Sequence, residues 1–98
     1  MRLQLDDIFR FLRANENVIQ NRYKARVRGV FGSFGRGDHK KGSDVDVLVH
    51  FSEGANLISW VGLTSFLEDE FRTRVDVVSD RAVRPEMRIE IESDLIPL

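Results

Sequence analysis

Apolar positions near the amino terminus recur at helical spacing. Leu5, Ile8, Phe9 and Leu12 form one stripe, which Val18, Ile19 and Tyr23 continue beyond the polar interruption Asn15-Glu16-Asn17. Asn15 reads as the N-cap of a second helix, because its short amide side chain can accept from an otherwise unpaired first-turn N–H. The period then changes from helix to strand. Val27 to Phe31 reads as a strand ending at a Gly32-Ser33 turn, where Ser33 opens a short helix. From about Asp44 to Phe51 a second strand puts Val45, Val47 and Val49 on one side and Asp44 and Asp46 on the other.

Ser52-Glu53-Gly54 is a turn signal, and Asn56 can cap a helix over Leu57 to Phe71 that carries Ile58, Val61, Phe66 and Leu67. Trp60 and Phe66 are assigned to the core. A third strand follows at Val75 to Ser79. Pro85 suits the first turn of a last helix ending near Ser93, with Glu86 to Glu92 on its wet face, and Leu95 to Leu98 is extended. This order predicts one small α/β (α+β) domain spanning residues 1–98, a mixed sheet with helices packed on one side.

Composition narrows the function classes. Ninety-eight residues with 42% apolar content suffice for one core. Fifteen basic against sixteen acidic residues leave no surplus to neutralise a long nucleic-acid backbone, which disfavours a general DNA or RNA binder. Without cysteine, thiol catalysis, disulfides and zinc–thiolate sites are excluded. No apolar run approaches membrane-spanning length and no signal-peptide core is visible, so a cytoplasmic location is expected.

Chemistry concentrates in two stretches. Gly32-Ser33-Phe34-Gly35-Arg36-Gly37 is a turn whose glycines permit positive φ and close backbone approach, so that amides can converge on phosphate oxygens. After five further residues comes Ser43, and then Asp44 and Asp46 stack two like charges on one strand face, an arrangement that a divalent cation relieves. Mg²⁺ typically takes one or two carboxylates, several waters and substrate phosphates. Asp76, at the centre of the short apolar run Arg74 to Val78, is a possible third carboxylate. Each aspartate also has the ordinary reading of a solvent-facing strand residue. Competing motifs fail: Ser43 stands where a Walker A lysine belongs, Lys40 where a dinucleotide fingerprint needs its third glycine, and Val49 where a calcium loop needs glycine.

These residues together resemble the nucleotidyltransferase superfamily that includes DNA polymerase β: Gly-Ser, a short glycine-containing turn, Asp-x-Asp on a strand, and a distant third Asp. At this length the chain is similar to the minimal nucleotidyltransferases that partner HEPN-domain toxins in prokaryotic toxin–antitoxin pairs. Gly32, Ser33, Gly37, Ser43, Asp44, Asp46 and Asp76 fall on the family's positions. Gly35 departs from the alanine more usual there, a change expected to loosen the turn.

The resemblance implies the nucleotidyltransferase fold and two Mg²⁺ ions held by Asp44, Asp46 and Asp76, with Asp76 serving the incoming hydroxyl. It also implies nucleotide binding by Gly32, Ser33, Gly37 and Ser43, and transfer of AMP from ATP to a tyrosine of the HEPN partner. Arg36 is read either as a triphosphate contact or as an exposed loop arginine without a partner. His39, Lys40 and Lys41 are assigned to solvent and His50 to a structural role. Two other functions stay open: an antitoxin that acts by occlusion alone, and a small-molecule nucleotidyltransferase whose acceptor site another chain completes.

Overall fold

The computed structural model describes residues 2–98. The chain runs α1 (Leu5–Ala14), α2 (Glu16–Tyr23), β1 (Ala25–Phe31), α3 (Gly32–Arg36), β2 (Val45–Phe51), α4 (Leu57–Phe71), β3 (Val75–Ser79), α5 (Pro85–Asp94) and β4 (Ile96–Pro97). The strands form a mixed sheet in the order β3-β2-β1-β4, with β2 and β3 parallel and β1 antiparallel to both β2 and β4. The predicted elements are all present. Among the described residues no helix is long and apolar enough to cross a membrane.

The core lies on one face of the sheet. Val45, Val47 and Val49 of β2 are fully buried, together with Ile8 and Leu12 of α1, Ile19 of α2, and Leu63 and Leu67 of α4. A bulge at Arg28 lets both Val27 and Val30, three residues apart, face this core. Phe66 packs on its margin with ring centroids 5.5 Å from Phe11 and 5.6 Å from Tyr23. The helix α5 is the exception to helices on one side. Its Ile91 and the Leu48 side chain of β2 are buried outside the main core and line a small pocket together, on the face that Asp46 shares with Leu48.

Asn56 caps α4 as expected, its Oδ1 accepting from the Ser59 N–H at 3.1 Å. Asn15 does not cap α2. Its side-chain amide instead donates to the Phe11 carbonyl at 2.8 Å, closing the end of α1. A helix packed on a sheet buries only one stripe, and α4 contains more apolar residues than that stripe can take. Leu63, Leu67 and Phe71 fill it, so Ile58 and Val61 are not core residues but 80% and 51% exposed. Val18 of α2 is likewise at the surface. Trp60 is 39% exposed, lying over the β3 edge with its indole N–H donating to the Val77 carbonyl at 2.9 Å. Ile58→Ser is therefore expected to change the free energy of unfolding by less than about 0.5 kcal/mol in a denaturant titration.

Candidate active site

Strand pairing brings the predicted carboxylates together. Asp46 lies directly beside Asp76 in the parallel register of β2 and β3, so both side chains leave the sheet on the face opposite the core. Asp44, two residues earlier on the same side, stands just ahead of β2. Asp44 and Asp76 are exposed, while Asp46 is half-buried. Burial, then the charges of Asp76 and Asp44, push the Asp46 carboxyl up from its ordinary 3.8 to about 6, and the nearby Arg36 guanidinium pulls the other way.

The glycine turn leans on the same carboxylate. Gly32 has φ 69°, and a Cβ built on it would overlap Asp46 Oδ2. Only a residue without a side chain lets the start of α3 sit against Asp46. At the other end Gly37, at φ 84°, takes the left-handed conformation that terminates the helix, its N–H donating to the Ser33 carbonyl at 2.9 Å. Ser33 is half-buried in the first turn, where backbone amides have no intrahelical acceptor.

A model of the nucleotidyltransferase domain family matches residues 12–97. The chain belongs to this family. The nucleotidyltransferase is 38% identical over 82 residues to the protein adenylyltransferase MntA of Thermococcus cleftensis, covering 84% of this chain and 83% of that one. It superposes on a solved structure described as a minimal nucleotidyltransferase with a TM-score of 0.80, at 34% identity, covering 98% of this chain and 97% of the other. A more distant likeness, of fold, is to a complex of a tri-AMPylated HEPN toxin of Shewanella oneidensis with its MNT antitoxin: TM-score 0.59, 19% identity, 88% of this chain and 70% of that one.

The donor set of this nucleotidyltransferase suits a hard divalent cation. The three side chains offer only oxygen donors, and the raised Asp46 carboxyl reflects burial first and then the neighbouring Asp76 and Asp44 charges, which the Arg36 guanidinium only partly offsets. Among the described residues no three carboxyl or imidazole groups close into a ready-made cage.

Arg36 is not an unpartnered loop arginine. Its Nε donates to Asp38 at 3.1 Å and its Nη1 to Asp94 at 2.9 Å. The Ser43 hydroxyl closes the loop ahead of β2 by accepting from the Lys40 N–H at 2.8 Å, and Thr73 donates to the Ser43 carbonyl at 3.2 Å. Ser43 also lines a cavity of about 480 Å³ with Phe34, Lys41 and Arg72, and none of the three aspartates borders it. His39 is not a solvated loop residue: it stacks on Phe34 at 4.1 Å between ring centroids. His50 is structural as expected, its Nδ1 lying 3.1 Å from Asp80, which also pairs with Arg28 at 3.5 Å.

Gly35 does not loosen the turn. A Cβ there would overlap the Asp94 carbonyl, so this glycine lets α3 and the end of α5 touch. Asp94 and Asp38 are the site neighbours that the sequence reading did not identify. Asp94 lies 58 positions from Arg36, and no local motif signals that pairing.

Proposed function

We propose that this nucleotidyltransferase transfers AMP from ATP to a hydroxyl of a partner protein, a tyrosine of a HEPN toxin, and thereby acts as its antitoxin. The observation that carries this reading is the Asp46–Asp76 pair on one sheet face with Gly32 pressed against it. The adenylyltransferase relative and the fold shared with a HEPN–MNT complex support the nucleotide and the partner.

Asp44, Asp46 and Asp76 would hold two Mg²⁺ ions. When bound, the ions supply charge neutralisation along the triphosphate and stabilise the attacking and leaving oxygens of an in-line displacement. Gly32 and Ser33 present backbone amides and one hydroxyl to phosphate oxygens, Gly37 ends the turn beside them, and Arg36 adds positive charge. Ser43 shapes the loop that delivers Asp44. Asp76, exposed on the open side of the pair, takes the proton of the acceptor hydroxyl. The acceptor oxygen bonds to the α-phosphorus, the bond to the bridging oxygen breaks, and pyrophosphate departs. The half-buried Asp46 stays fixed against α3.

The test is the intact mass of the partner protein after incubation with a tenth of an equivalent of this protein, ATP and Mg²⁺. Complete conversion to species heavier by whole AMP increments is expected, with none when ATP or Mg²⁺ is omitted. Inhibition of the partner that requires a full equivalent and persists without nucleotide would establish occlusion instead.

A further inference from the structure

The C-terminal helix reaches the turn on the face that carries the carboxylates. Arg36 ends α3, one helical turn from the Gly32 that touches Asp46. Two carboxylates from different elements hold its guanidinium: Asp38, just past α3, and Asp94, the last residue of α5. The Asp94 side chain is only 14% exposed, against 61% for Asp38. Its backbone is also pinned. The Asp94 carbonyl fits against Gly35, and the residues that follow it, Leu95 and Ile96, fit against Gly29.

A guanidinium fixed at Nε and Nη1 keeps its remaining N–H donors, on Nη1 and Nη2, in one fixed plane at the far edge of the fork. A lysine at this position could offer only a mobile point charge. Arg36 pairs with the end of α5, whose Ile91 packs beside Leu48 on the face that Asp46 shares, and it sits on the same short helix whose first residue touches Asp46, so the guanidinium lies on the carboxylate side of the sheet.

We propose that Asp94 is a positioning residue: by clamping Arg36 from the end of α5, it aims the free guanidinium N–H groups at the triphosphate of the bound nucleotide. The assignment rests on the nucleotide-binding role given to the turn above. Docking of α5 and β4 onto the sheet then becomes part of the nucleotide site, although neither element supplies a group that touches the substrate.

Calorimetric titration of ATP into the full chain with Mg²⁺ tests this. Asp94→Asn is expected to weaken ATP about tenfold, the scale of a coupling between contacting residues. Asp94→Glu restores binding to within about threefold of the native protein. In an Arg36→Ala background the asparagine change adds nothing further, because its effect travels through the guanidinium. Arg36→Lys, which keeps the charge but loses the fork, weakens ATP like Asp94→Asn and serves as the readout should that variant unfold. Unchanged ATP affinity in folded Asp94→Asn overturns the proposal, and so does a loss of equal size with and without Arg36. Absence of ATP binding by the native protein would overturn the nucleotide reading itself, a result distinct from either.

Discussion

Asp46→Asn is expected to abolish nucleotidyl transfer, by at least about 10³-fold, while the protein stays folded and becomes slightly more stable above pH 6. The two effects have one cause. Asp46 is the half-buried member of three neighbouring carboxylates, and its carboxyl is pushed up from 3.8 to about 6, first by burial and then by Asp76 and Asp44. The folded state therefore holds this proton more tightly than the unfolded chain does. Below about pH 4 the group is neutral in both states and imposes no penalty. As pH rises from about 4 to 6 the penalty grows, and above that range it is fully present. For a carboxyl this open to solvent its size is on the order of 1 kcal/mol. Chemical denaturation of native and variant protein in chelator should give stabilities that coincide at pH 4 and diverge in favour of the variant by pH 7. Mg²⁺ with ATP should then raise the melting temperature of the native protein and leave that of the variant nearly unmoved. A variant that melts well below the native protein at pH 7 would make Asp46 a structural residue. One that retains transfer would remove it from the chemistry.

What was legible in the sequence follows the range of the interactions concerned. Asp44 and Asp46 could be placed on one face because strand alternation is local, and Asp76 joins them because the parallel pairing of β2 and β3 sets it directly beside Asp46. The Asn56 cap is equally local. The errors arose where tertiary packing decides. Ile58, Val61 and Trp60 look like core positions on a helical wheel, but the sheet has room for only one stripe of α4, and Leu63, Leu67 and Phe71 occupy it. Asn15 has a carbonyl within reach behind it, at Phe11, and bonds there rather than capping forward. Gly35 reads as slack in the turn until the Asp94 carbonyl is found against it, and Arg36 reads as free until the end of α5 arrives. In each case the deciding partner is distant in the chain or set by backbone direction, and residue type alone carries no signal of it.

Gly32→Ala is expected to be severely damaging to transfer. The position has φ 69°, in the left-handed region, where an alanine costs roughly 1 kcal/mol or more, and the new Cβ would overlap Asp46 Oδ2. Neither problem can be relieved separately. Rotating φ to negative values moves the start of α3 away from Asp46, and moving Asp46 instead displaces the carboxylate from its place beside Asp76. Both routes break the contact between the glycine turn and the carboxylate pair, so transfer should fall at least about 10²-fold even where the fold survives. Ser33→Ala, by contrast, removes one hydroxyl, leaves the backbone in place and should cost about 1 to 2 kcal/mol in triphosphate use. Gly37→Ala separates the two contributions of Gly32. It shares the positive φ, at 84°, but a Cβ there meets nothing within 4 Å, so it should lose stability without a comparable loss of transfer. Measured as rates per folded molecule, with the folded fraction taken from thermal melts, the order of damage should be Gly32→Ala, then Ser33→Ala, then Gly37→Ala. If Gly37→Ala proved as damaging to the rate as Gly32→Ala, the loss would come from turn strain alone, and the close fit of Gly32 on Asp46 would have no part in the chemistry.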